Sequence, residues 1–279
     1  MSHITVTIEG NLARLVLSNP PQNRLAQEFF DELRDAISLI AGSGARAALL
    51  SAEGPDFSYG GDIVPWPTLS PKQLRAAFEK RLGTVNQWER LPVLTVAAVQ
   101  GLCFGGGFEL AIRSDIIFAG ASARFGHPEQ SLGIVTMLGG IQRVAERVGK
   151  AFAMEWALTS EQVPAQTMLE RGVINRVVAD ESLLEEAAAF ARKLADGPTR
   201  AHLAHKALLR IWTGGGLTAA DGALLDLALP LFETEDVKSV LPAAVEAFTA
   251  GLPRPKPIGH APMHLLGLVA LGYMWDAYG

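Results

Sequence analysis

Two strand-length apolar runs, Ala45–Ser51 and Val93–Val99, constrain this chain more than any other feature, because each leads within a few residues into a glycine-rich turn. A run of that length and character reads as a buried strand, and a buried strand needs other elements packed against it. The surrounding sequence supplies them. Residues 4–8 and 12–17 read as a hairpin turning at Glu9-Gly10-Asn11, stopped by Pro20 and Pro21. Residues 26–41 place Phe29, Leu33, Ile37 and Ile40 on one helical face. Ser70-Pro71 is a helix start, followed by Leu74, Phe78, Leu82 and Val85 at helical spacing. Phe108–Arg113 reads as a helix, Asp115–Ala119 as a strand, 141–158 as helix broken near Gly149, and Val173–Val178 as a strand. From Glu181 on the pattern is helical only, over 181–195, 200–212, 217–229 and 236–250. Strand and helix alternate first and helices follow, which is a layered α/β core with a helical C-terminal part. The change falls near Asp196-Gly197-Pro198, giving a core over 1–196 and a helical region over 197–279 that is expected to be the oligomer contact.

Bulk properties narrow the function. Hydrophobic residues make up 49% of the 279 and charged residues 19%, enough for a sizeable core. A net charge of −5 gives no case for a nucleic-acid partner. The lone cysteine, Cys103, cannot form an intramolecular disulfide and sits in an apolar run, so it reads as a packing residue. Met1–Val6 carries no leader pattern, which suggests a cytoplasmic protein. The uncharged run Leu265–Trp275 is well short of the ~20 residues that span a bilayer, and reads as a docking segment rather than a membrane insertion.

The residues that can carry chemistry cluster in the glycine-rich turns. Gly105-Gly106-Gly107 marks backbone that turns sharply at a strand-to-helix junction, where the first amides of the helix have no internal acceptor. Tyr59-Gly60-Gly61-Asp62 is a second such turn after a strand. Ends of strands in one sheet can bring two turns together. Glu109 falls in the first turn of the helix after the triplet, between Phe108 and Leu110, and Glu129 follows Pro128 in a loop with Phe125 and Gly126. Two carboxyls can move protons and two bare amides can hold a negative oxygen, a combination suited to chemistry beside a carbonyl. His127 is open to two readings, a base or an ordinary loop histidine. No nucleophile elbow, no metal-ligand spacing among the six histidines and no G-x-G-x-x-G pattern is present, so neither a metal nor a redox cofactor is expected.

Taken in order, the motifs resemble the crotonase, or enoyl-CoA hydratase/isomerase, family. The matching pieces are Gly105–Ala111, Ser114–Ala119, Phe125-Gly126-His127-Pro128-Glu129, Leu132-Gly133 and Gly139–Arg143. Asn19–Leu25 and Phe57–Ile63 resemble its upstream motifs, and the likeness extends over roughly residues 4–250. The resemblance implies a crotonase-like spiral of ββα units followed by helices that build a homotrimer or homohexamer. It implies an acyl-CoA thioester as substrate, with coenzyme A as part of that substrate and no separate cofactor. By motif position the oxyanion hole falls at Gly61 and Gly106, and the paired hydratase carboxylates at Glu109 and Glu129. The thioester and coenzyme A are then expected along Gln22, Arg24, Ser58, Tyr59, Gly60, Asp62, Ile63 and Gly105, with Arg24 toward a phosphate. Phe108, Phe125 and Leu132 are the apolar neighbours expected to raise one carboxyl's pKa. Retention of both glutamates favours hydration. Double-bond isomerisation, or acyl-CoA binding without catalysis, stays open. The chain departs from the pattern at Tyr59 and at Val135-Thr136-Met137-Leu138, positions that border the acyl pocket.

Overall fold

The computed structural model of the protein describes residues 2–252. Its contacts divide the chain into a unit of residues 1–192 and a unit from Lys193 onward.

The first unit opens with β1 (Ile4–Glu9) and β2 (Leu12–Leu17), then α1 (Gln27–Gly42), β3 (Ala47–Ala52), α2 (Pro71–Glu89) and β4 (Leu94–Val99). Next come β5 (Leu102–Phe104), α3 (Gly106–Ala111), β6 (Ile116–Gly120) and β7 (Arg124–Gly126). The unit continues through α4 (Gly140–Val148), α5 (Lys150–Thr159), β8 (Val163–Pro164), α6 (Ala165–Glu170), β9 (Arg176–Val178) and α7 (Leu183–Ala195), which runs just past its boundary. Six strands form one sheet in the order β1-β2-β3-β4-β6-β9, and β5-β7-β8 form a second. Within the large sheet only the β1–β2 pair is antiparallel. β4 then β5, and β6 then β7, each give one strand to each sheet before the chain enters a helical segment. That is the ββα spiral.

Local chemistry explains the elements. α1 buries Phe29, Phe30, Leu33, Ala36, Ile37 and Ile40 on one face. α2 begins with a full capping box: the Ser70 hydroxyl accepts from the Gln73 amide, and the Gln73 side chain accepts from the Ser70 amide. β3 and β4 are buried almost throughout, as their apolar runs require. The core joins Trp88, Phe29, Phe57, Phe108 and Phe125 around these strands. Cys103 lies fully buried among them, and burial pushes its thiol pKa well up, which makes it a packing residue.

Three differences from the sequence reading stand out. The second sheet was not legible, because β5, β7 and β8 are two or three residues long and exist only through pairing. The strand expected over 173–178 is limited to Arg176–Val178, since Val173 closes a turn onto the Met168 carbonyl. Helices expected over 200–212 and 217–229 are joined as α8 (Thr199–Ala228), with Gly216 in a non-helical conformation. Thr199–Glu233 is apolar and long enough by composition to cross a bilayer. Gly216 interrupts its helical ladder, however, and neither part alone reaches the ~20 residues of a span. After α8 comes α9 (Glu235–Thr249), and Ala204, Ala207 and Leu227 form the core of this second unit. The apolar run 265–275 lies outside the described residues.

Gly107 is the tightest point of the α3 turn. A Cβ there would lie 2.6 Å from Ser58 Cβ and 2.9 Å from Ser58 O, whereas a Cβ on Gly83, inside α2, meets nothing within 4 Å. Gly107→Ala is expected to destabilise the protein by about 1–3 kcal/mol, and Gly83→Ala to stabilise it by about 0.5–1 kcal/mol. Urea unfolding of the two variants checks this, and equal effects would contradict the close approach.

Candidate active site

The site is built where the two sheets meet. β3 leads to the turn at Gly60-Gly61, and β5 leads directly into the turn at Gly105-Gly106. The two turns face each other: a Cβ on Gly60 would lie 3.0 Å from the Gly106 nitrogen, and one on Gly106 would lie 3.6 Å from the Gly61 nitrogen. Gly60 and Gly105 have φ of +88° and +48°, a left-handed backbone that only glycine adopts without strain.

Pairing aims the amides. Leu25 N–H donates to the Gly60 carbonyl and the Leu25 carbonyl accepts from Asp62 N–H, so the intervening Gly61 amide points away from Leu25. Gly106 is the first residue of α3, where helix amides lack an internal acceptor. Neither amide donates to a protein acceptor among the described residues.

Both glutamates reach the same space. One cavity, open to solvent, is lined by Leu25, Gly61, Gly106, Glu109, Glu129 and Leu138 among others. Glu109 is only 2% exposed, on the first turn of α3. Its Oε1 accepts from the amides of Leu138 and Gly140, both at 2.8 Å, and its Oε2 has no partner among the described residues. Arg113, one turn on, donates from Nη1 to the Glu109 carbonyl at 2.6 Å and from Nη2 to the Leu138 carbonyl. The loop that holds Glu109 is thus tied back to the helix that carries it. Burial raises the Glu109 pKa, against the lowering pull of these amides and of the Arg113 and Arg143 charges.

Glu129 stands on a short 3₁₀ turn, Pro128–Leu132. Its Oε2 is buried with no hydrogen-bond partner among the described residues. Burial and then the nearby Glu109 charge push its pKa up to about 7. His127 stacks on Phe108 with ring centroids 4.9 Å apart, and neither ring nitrogen has a hydrogen-bond partner among the described residues. Burial pulls its pKa down to about 4, so it is a neutral ring against the carboxyl, with Nδ1 3.9 Å from Glu129 Oε2.

The expected substrate contacts sort differently. None of Gln22, Arg24, Ser58, Tyr59, Gly60, Asp62, Ile63 and Gly105 lines the cavity. Ser58 requires correction as a ligand contact: it is fully buried, its hydroxyl donating to Asn23 O and accepting from Gly60 N–H, so it shapes the glycine turn. Arg24 donates to Gln22 Oε1 at 2.7 Å and lies over the Tyr59 ring at 6.0 Å. Leu132 is 52% exposed and cannot supply the apolar setting expected of it. The sequence reading assigned no role in the site to Phe30, Trp66, Arg81 and Arg113. An arginine three residues after Phe78 on an otherwise apolar helix face was the available signal for Arg81.

Residues 7–248 match the profile of the enoyl-CoA hydratase/isomerase family. The chain belongs to that family. It is 32% identical over 246 residues to the mitochondrial enoyl-CoA hydratase of Pongo abelii, covering 85% of this chain and 82% of that protein. It is 34% identical over 257 residues to a protein of Rhizobium meliloti (strain 1021) named probable enoyl-CoA hydratase, covering 88% and 96%. The crystal structure of an enoyl-CoA hydratase from Bacillus anthracis superposes with a TM-score of 0.82 at 26% identity, covering 92% of this chain and 100% of that one. The crotonase fold and membership of this enzyme family are therefore established for the chain.

The raised Glu129 pKa has a consequence for stability. Between its ordinary value of 4.5 and about 7, the folded protein holds a proton that the unfolded chain has released. Stability therefore falls as pH rises through that window. Glu129→Gln removes the effect, so the variant should gain on wild type from pH 5 to 8, by up to about 3 kcal/mol. Parallel stability curves for the two proteins across this range would contradict the shift.

Proposed function

We propose that this enzyme adds water across the 2,3 double bond of an acyl-CoA thioester. The observation that carries the reading is the convergence of Gly61, Gly106, Glu109 and Glu129 on one cavity, with the two carboxyls in unlike environments.

In the proposed reaction the thioester oxygen accepts from the amides of Gly61 and Gly106. These donors gain strength as negative charge builds on that oxygen in the enolate, and one such donor is worth about 3 kcal/mol of barrier. Glu109 is the carboxyl suited to act as base: burial raises its pKa, but two amides and two arginine charges oppose that rise, and its Oε2 has no partner among the described residues. It takes a proton from water as the oxygen bonds to C3. Glu129 is the carboxyl suited to act as acid, because burial and then the Glu109 charge hold its proton near neutral pH. It gives that proton to C2 as the enolate collapses. Water's hydroxyl and one proton are thus added, one carboxyl gains a proton as the other loses one, and exchange with solvent restores the pair. No electrons are exchanged, so the chemistry calls for no redox cofactor. Exposed Leu217, Leu225, Phe232 and Phe248 in the second unit support self-assembly through that unit as part of the same proposal.

Hydration of a short 2-enoyl-CoA, followed by loss of its conjugated ultraviolet absorbance, tests the roles. Glu109→Gln and Glu129→Gln should each lower kcat by about 100- to 10,000-fold. Near wild-type rates in both variants would end the two-carboxylate reading. Turnover of a 3-enoyl-CoA that survives loss of one glutamate would instead point to double-bond migration.

A further inference from the structure

Besides the two glutamates, one charged side chain lines the cavity among the described residues: Arg81, on α2. It is 5% exposed. Its guanidinium lies near two rings, 5.2 Å from the Phe78 centroid and 5.3 Å from that of Phe30. Nε donates to Gln27 Oε1 at 3.2 Å. It has no ion pair and no other hydrogen bond among the described residues, and the acids that act on it electrostatically are Asp62 and Glu28. Contacts with rings satisfy a guanidinium only in part, and its four terminal N–H groups still need acceptors.

A second donor in the same wall is also unmatched. Trp66 lines the cavity, packs edge-on against Phe78 with centroids 5.2 Å apart, and has a buried indole N–H with no acceptor among the described residues. The other nearby lining residues, Met137 and Leu138, are apolar. A plain hydrocarbon tail in this pocket would strip water from a cation and leave its donors unpaired, which costs free energy. A carboxylate matches the fork of an arginine in shape and charge.

We propose that the acyl chain accepted here ends in a carboxylate, received by the Arg81 guanidinium with the Trp66 indole N–H as a second donor. The inference rests on the acyl-thioester reading of the site and names the substrate class: a thioester of a dicarboxylic acid. Arg81 shares its cavity with the reacting groups, which places its partner on the acyl side of the thioester rather than among the phosphates of coenzyme A.

The test is calorimetric binding to the full chain, using saturated, unreactive acyl-CoA thioesters of matched length. One series ends in a free carboxylate, the other in its methyl ester, and free CoA is the third probe. The carboxylate series should bind about 10- to 100-fold more tightly than the ester series. Arg81→Met should erase that ratio, Arg81→Lys should keep part of it, and affinity for free CoA should be the same in all three proteins. Equal affinity of the two series for wild type overturns the proposal. So does an Arg81→Met variant that loses free CoA as strongly as the carboxylate thioester, which would assign the arginine to a phosphate. If Arg81→Met does not fold, Trp66→Phe keeps a ring and removes the N–H, and should lower the ratio several-fold; an unchanged ratio removes Trp66 from the subsite. Because the probes do not react, the outcome is independent of the hydration assay. Preference without hydration overturns the reaction alone, and hydration without preference overturns the carboxylate subsite alone.

Discussion

The grip of two backbone amides, Leu138 and Gly140, on one oxygen of Glu109 is the interaction on which the site depends. A carboxylate 2% exposed would ordinarily shed its charge by taking up a proton. Two N–H donors and the nearby arginines oppose that, so the charge can persist in a dry setting. The same loop supplies Met137 and Leu138 to the cavity wall. At Glu129 burial raises the pKa first, and the Glu109 charge adds to it, against only its own backbone amide. Burial raises the pKa of both side chains, but only Glu109 has amides of other residues and arginine charges that oppose the rise.

That grip has its own support. Arg113 bonds the carbonyls of Glu109 and Leu138, and its Nε lies 3.7 Å from Glu89, which also pairs with Arg143 at 2.5 Å. The amide side of Leu138 holds the carboxylate and its carbonyl side is held by the arginine. Gly140 fits this arrangement because a Cβ there would lie 2.6 Å from His127 Cε1 and 2.8 Å from Glu109 Cγ. Backbone approaches this close leave no room for substitution, which explains glycine at this position without reference to relatives.

Much of the scaffold was legible because its signals are local. The face Phe29, Leu33, Ile37 and Ile40 reads as a helix from spacing alone, and Ser70-Pro71 marks a start from capping chemistry. Gly61, Gly106, Glu109 and Glu129 were found through ordered motifs, and the structure brings all four to one cavity. What the sequence hid is what depends on distant parts of the chain meeting. β5 and β7 are three residues each and are strands only because they pair with one another. Ser58 stands in the motif beside the Gly60-Gly61 turn, yet its hydroxyl is turned into the protein by Asn23 and Gly60. Arg81 had no reading from sequence, because Phe30 and Trp66, which join it in one wall, come from other segments.

The measurement that bears most directly on this account is a site-resolved titration of the Glu129 carboxyl, by carbon-detected NMR on labelled protein. In wild type it should titrate near 7, well above the ordinary 4.5. In Glu109→Gln it should fall, while staying above 4.5 because burial remains. A Glu129 carboxyl that titrates near 4.5 in wild type, or one indifferent to the loss of the Glu109 charge, would contradict the claim that the two acids share one site and divide its protons.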